Sequence, residues 1–273
     1  MSNDSETPPL AVTGERLMTD NRTQNVPEHL HRYGLACELA RGLHVLDIAC
    51  GEGYGTMLLA KYAASAVGVD VAREAVAHAA RKYVRGNLRF LHGSATAIPL
   101  PASSVDVVVS FETIEHLREH EAMMTEIRRV LRAGGKLIIS SPDKRYYTDA
   151  TGHSNPFHLR ELYCDEFRTL LGRFFKHTRL FLQRIAYGSV IVPENAAPGF
   201  TEYRGDFMGF TVEQTLREAM YNVIIASDEP LPEWRISLWD TSSLFEPPPV
   251  KLPQVVESPA DSRVAGFRKW LFG

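Results

Sequence analysis

Residues 45–55 read VLDIACGEGYG, and the architecture of the chain follows from them. An apolar run delivers Asp47 at its end, and Gly51, Gly53 and Gly55 then alternate into a segment that predicts a helix. Glycine permits positive φ and lets a ligand approach the backbone closely. The N-terminus of the following helix presents unpaired N–H groups to such a ligand. The spacing is G-x-G-x-G, whereas nicotinamide-dependent enzymes usually carry G-x-G-x-x-G. The trio alone is weak evidence for any one cofactor; its strand–turn–helix setting is what gives it weight.

Outward from this loop the pattern alternates. Strands are predicted at 43–48, 66–70, 88–92, 105–110 and 136–140, and helices at 27–41, 55–64, 73–84 and 117–132. The strand runs are short and β-branched, as expected when helices cover both faces of a sheet. Alternation at this spacing implies parallel strands with right-handed crossovers. Gly134 and Gly135 read as the stop of the fourth helix. Beyond residue 142 a helix is expected at 163–174 and strands at 178–185 and 221–227. Residues 188–210, rich in Gly, Pro and aromatics, read as an inserted loop or lid.

The domain reading is a flexible segment at 1–26 and one domain at 27–245, with its core at 43–175 and the insert at 188–215. A Pro-rich linker and a short amphipathic segment follow at 246–273. A net charge of −3 and a pI near 6.4 offer no basic field for nucleic acid or an anionic membrane. No apolar run approaches the roughly 20 residues that span a bilayer, and Met1 to Pro9 lacks a secretory pattern. The three cysteines, Cys37, Cys50 and Cys164, are far apart and suggest neither a disulfide framework nor a zinc cluster. A cytoplasmic globular protein is expected, with no nucleic-acid partner, no membrane span and no metal.

Asp70 closes the second strand 17 residues after Gly53. In doubly wound folds an acid there accepts hydrogen bonds from ribose hydroxyls; the alternative is a cap for the helix after Ala72. With the glycine loop it points to an adenosine-type cofactor.

The blocks VLDIACGEGYG, VGVD, LRFLHGSATAIPLPASSVDVVVSFETIEHL and EIRRVLRAGGKLIISSPD, in this order, resemble the class I S-adenosylmethionine-dependent methyltransferases over residues 43 to about 175. The resemblance implies an α/β, Rossmann-like seven-stranded sheet whose last strand, 221–227, is antiparallel. It implies that Ala49, Gly51 and Gly53 pack against the methionine part of S-adenosylmethionine, with Asp47 at the strand end, Asp70 on the ribose and Val71 against the adenine. The family commonly has an acid after the third strand; here Ser94 and Ala95 stand there. Phe111 and Glu112, after the fourth strand, would border the cofactor.

The acceptor would face the sulfonium beside FETIEHL. A hydroxyl acceptor needs a base within reach, and His116 stands where the resemblance places active-site groups. Glu115 is expected to face solvent. HSNPFHLREL, after the fifth strand, offers His153, Asn155, His158 and Arg160 to line the acceptor pocket, with His158 the second catalytic candidate. Glu15, Arg16, Arg32 and Tyr33 are expected to cover the cofactor pocket. GERL and EHLHRY resemble methyltransferases found with bacterial polysaccharide genes, over roughly residues 14–240, which implies a glycan acceptor. Phe200, Tyr203, Phe207 and Phe210 would suit sugar stacking or a lid core. Alternatives are a quinone- or polyketide-type acceptor and a non-catalytic scaffold.

Overall fold

The computed structural model describes residues 16–19, 26–152, 154–184, 202–206, 209–213 and 220–231. The first half alternates as expected: α1 (Val26–Ala40), β1 (His44–Ile48), α2 (Tyr54–Ala60), β2 (Ser65–Asp70), α3 (Arg73–Lys82), β3 (Leu88–His92) and β4 (Val105–Ser110). A 3₁₀ turn at Ile114–His116 precedes α4 (His120–Val130) and β5 (Leu131–Pro142). Then come α5 (Cys164–Phe174), β6 (His177–Gln183), β7 (Glu202–Asp206), β8 (Gly209–Glu213) and β9 (Tyr221–Ser227).

Seven strands form one sheet in the order β3-β2-β1-β4-β5-β9-β6. β1 to β5 pair in parallel, and β9 runs antiparallel to both β5 and β6. This is the expected sheet with its last strand reversed. Alternation along β1 shows why helices cover both faces. Leu46 and Ile48 join Val69, Val108, Leu137 and Ile139 under α4 and α5. Val45 faces the other way and joins Val107, Val109 and Ile138 under α1 and α2. Each such side chain, fully buried, contributes about 1.5–3 kcal/mol relative to exposure.

The main differences from the sequence reading lie in α4, in β5 and in the expected lid. α4 starts at His120 rather than 117, because Leu117 is extended with φ −117° and ψ 150° after the 3₁₀ turn. It stops at Val130, before the glycine pair, because Leu131 already turns extended and pairs with Val105. Gly134, with φ +73°, lies instead inside an irregular β5 whose register shifts against β4. The third difference is in the expected lid, where β7 and β8 pair as a two-stranded antiparallel ladder.

The segment read as flexible is tied down over residues 16–19, where Met18 is buried and Thr19 donates to Glu52 at 2.8 Å. The linker at 246–273, Glu15, His153, Phe200 and Phe207 lie outside the described residues. Among the described residues no helix is long and apolar enough to cross a membrane.

Candidate active site

Parallel strands put the ends of β1 to β5 on one edge of the sheet, where open α/β folds bind ligands. The chain after β1 bends sharply there: Ala49, Gly51 and Gly53 have φ of 56°, 55° and 96°. A left-handed alanine costs on the order of 1–3 kcal/mol and persists only where its surroundings impose it.

The glycines answer to different constraints. A Cβ on Gly51 would meet the methylenes of Arg16 at 3.4 Å, so the Arg16 side chain lies against this position. A Cβ on Gly53 would sit 2.7 Å from Ala79 and 3.0 Å from Phe90. One on Gly55 would fall 1.9 Å from the ring of Tyr33. Packing therefore demands glycine at 53 and 55, and at 53 the positive φ does so as well. Tyr33 lies beneath the loop rather than over the pocket.

Asp47 belongs to that lower layer too. Its carboxylate is fully buried and accepts from Thr56 at 2.7 Å and from Tyr33 at 3.2 and 3.3 Å. Burial outweighs these bonds and pushes its pKa up to about 7. Asp47 thus ties the end of β1 to α1 through Tyr33 and to α2 through Thr56. Asp70, at the end of β2, takes the N–H of Gly51 at 2.8 Å and that of Ala72 at 2.9 Å, one on each oxygen. It both locks the glycine loop and caps the chain, and each oxygen keeps a lone pair for a ribose hydroxyl. Beside it Val71 is 71% exposed, a branched apolar face at the sheet edge. This pairing of a carboxylate with a bare apolar surface fits the ribose and adenine of S-adenosylmethionine. Ser94 is engaged locally, its hydroxyl bonded to Thr96 Oγ1 at 2.9 Å and accepting from the Thr96 N–H at 3.1 Å; Ala95 is half-buried.

After β4, Phe111 turns inward, edge-on to Tyr33 with centroids 5.1 Å apart. Glu112 has φ 48°, and its carboxylate accepts from Ser140 at 2.5 Å. Arg32 is fully buried: it donates to Gln183 at 2.8 Å, approaches Glu112 at 3.8 Å and stacks on Tyr221. It is thus a strut between α1, β6 and β9, not the expected cover of the pocket. Glu115, expected in solvent, is buried, because Leu159 and Arg160 donate their N–H groups to its carbonyl at 2.8 and 3.0 Å. Burial, with the Glu112 charge added, raises its pKa well above the carboxylate range.

The same contact brings His116 and His158 together, edge to face with ring centroids 5.1 Å apart. His116 Nδ1 lies 3.0 Å from the Phe157 carbonyl, and His158 Nδ1 lies 2.5 Å from Glu161. The two catalytic candidates therefore meet, with Asn155 Nδ2 3.1 Å from His158 Nε2. Arg160 is exposed nearby.

Sequence reasoning missed Glu52. Between two of the glycines, it is fully buried and accepts from Lys82 and Tyr83, both at 2.6 Å, and from Thr19. It also missed Glu161, which holds His158 and accepts from Thr148 at 2.5 Å. An acid three residues after a histidine was the available signal.

Residues 46–139 match the family model described as a methyltransferase domain. A probable S-adenosylmethionine-dependent methyltransferase of Mycolicibacterium smegmatis is 38% identical over 165 residues, covering 59% of this chain and 63% of that protein. One from Mycobacterium tuberculosis is also 38% identical over 165 residues, covering 59% and 60%. The match thus spans about three fifths of these relatives' own length. A solved S-adenosylmethionine-dependent methyltransferase of Thermotoga maritima superposes with a TM-score of 0.53 at 19% identity, covering 75% of this chain and 91% of that one.

Proposed function

We propose, from the match of residues 46–139 to a methyltransferase domain and from relatives that depend on S-adenosylmethionine, that the whole protein uses this cofactor to methylate a hydroxyl of a sugar or glycan. The observation that carries this reading is one edge of the sheet holding both halves of a transfer site. Asp70 and Val71 stand at the end of β2, and Glu115, His116 and His158 at the ends of β4 and β5, with the glycine loop of β1 between them.

Bound S-adenosylmethionine supplies an electrophilic methyl group on its sulfonium. Asp70 would hold the ribose, Val71 would lie against the adenine, and the loop at Ala49–Gly53 would receive the methionine part. Displacement in line needs the acceptor oxygen held opposite the sulfur, and such positioning carries much of the rate. An aliphatic hydroxyl is weakly acidic, so it needs activation. The imidazole lone pairs of His116 and His158 provide it. Beside them Glu115, Asn155 and Glu161 supply polar groups and Tyr147 an aromatic face, a combination that suits a polyhydroxylated ring. A quinone or polyketide ring would call for apolar walls.

The test pairs calorimetric titration of S-adenosylmethionine with radiolabelled methyl transfer to a panel of nucleotide sugars and glycans. His116→Ala should lower turnover by about 10²–10⁴ while leaving cofactor affinity nearly unchanged. Near-normal turnover in that variant overturns the histidine's role. Cofactor binding without transfer to any member of the panel overturns the glycan reading.

A further inference from the structure

Resting on the methyl-transfer reading, we infer that Glu115, His116 and His158 bind one divalent transition-metal cation, placed to take the acceptor hydroxyl as a further ligand. One donor atom from each of the three lies within 4.8 Å of the other two. Two imidazoles and a carboxylate form a donor set that suits zinc, iron or manganese better than magnesium.

The atoms around the cluster favour this use of it. In metal sites a ligating histidine gives its other ring N–H to a carboxylate or a backbone carbonyl, which fixes its tautomer and orientation. Both arrangements occur here. His158 directs Nδ1 at Glu161 and His116 directs Nδ1 at the Phe157 carbonyl. With the protons on Nδ1, the lone pairs fall on the two Nε2 atoms. That of His116 stands 4.0 Å from Glu115 Oε1. That of His158 accepts from the Asn155 amide, which a cation would displace.

Glu115 supplies a second, independent observation. Its side chain is 1% exposed, and Oε2 is buried without a hydrogen-bond partner. A buried polar atom so placed is costly unless something satisfies it. At bonds of about 2.1 Å the donors of a cation stand roughly 3–3.5 Å apart. Closing the gap takes small shifts of the donor groups about the Nδ1 bonds, with the His116 side chain 30% exposed and that of His158 6% exposed. A bound cation would hold the acceptor oxygen and lower its pKa, and through it the two imidazoles would give the activation assigned to them above.

The test is calorimetric titration of chelator-treated full-length protein with Zn²⁺, in the absence of any acceptor. One site per chain is expected, with Mn²⁺ weaker and Mg²⁺ weakest. Glu115→Gln, His116→Ala and His158→Gln should each reduce Zn²⁺ affinity by at least tenfold. Glu161→Gln should reduce it by about 10–100-fold, a response that adventitious binding to surface histidines would not show. Thermal melts of each variant identify any that fail to fold; His116→Ala, at a side chain 30% exposed, keeps the test valid if Glu115→Gln or His158→Gln does not fold. Absence of a single site, or Zn²⁺ binding unaltered in His158→Gln and Glu161→Gln, overturns the inference. The cofactor is titrated into the same chelated protein. Retained cofactor binding with no Zn²⁺ site sinks the metal alone, whereas a Zn²⁺ site without cofactor binding sinks the methyl-transfer reading.

Discussion

At the scale of single residues, the layer beneath the glycine loop governs the site. Gly55 makes room for Tyr33, whose hydroxyl in turn bonds Asp47. Gly55→Ala should therefore destabilise the fold by about 1–3 kcal/mol through overpacking. Urea-denaturation midpoints measure this, and an unchanged midpoint would mean that the ring moves aside freely. Asp47 sets a pH dependence. Burial raises its pKa to about 7, above the unfolded value of about 3.9. The folded state keeps a proton that the unfolded chain releases. The associated stability is present in full below about pH 4 and is lost as pH rises to about 7. Asparagine cannot titrate, so the stability of Asp47→Asn relative to the parent should rise by up to about 1.4 kcal/mol per pH unit across that window and level off above it. Denaturation of both proteins between pH 5 and 8 gives the slope; a flat difference would show that the carboxylate is ionised throughout.

At the scale of elements, a buried charge network joins α1 to the reversed strand. Tyr221 donates to Glu28 at 2.9 Å, Gln183 donates to the Glu28 carbonyl at 3.1 Å, and Arg32 lies between them and Glu112. Burial raises the pKa of Glu28 while the nearby Arg32 charge lowers it in part. Removing the guanidinium leaves acids buried without a counter-charge, so Arg32→Ala should cost about 3–5 kcal/mol. Thermal melts read the loss, and a shift within experimental error would refute the network's role. The sequence announced α1 through its apolar spacing but said nothing of this network. Periodicity reports which face of a helix is buried, not which charged residue that face hides. Glu115 escaped for a related reason. Its three-residue 3₁₀ turn is too short for any period, and the N–H groups that bury it come from Leu159 and Arg160, far along the chain. The position of His116 and His158 near one edge was legible because the carboxyl edge of a parallel sheet gathers whatever follows β4 and β5. Their mutual contact was not, since it depends on the path of the loop that precedes α5.

At the scale of the molecule, the sheet depends on its last strand. β1 to β5 were readable from short local apolar runs, and 221–227 was placed as the reversed strand only through the family resemblance. The structure gives that placement its physical weight. β9 is an interior strand, paired with β5 from Lys136 to Pro142 on one side and with β6 from His177 to Gln183 on the other. All seven of its residues are buried, and Val223, Ile224 and Ile225 enter both core layers. Three such side chains are worth about 5–9 kcal/mol by transfer, comparable to the roughly 5–15 kcal/mol net stability of a domain. Without β9, β5 would expose a long apolar edge and β6 would have no neighbour, a condition that favours aggregation. A chain ending at Met220 should therefore show no cooperative urea transition and should bind an apolar dye, even though every residue of the glycine loop, Asp70, His116 and His158 is present. A cooperative transition in that shortened chain would show that the first five strands and their helices fold unaided, and that the reversed strand serves the site rather than the fold.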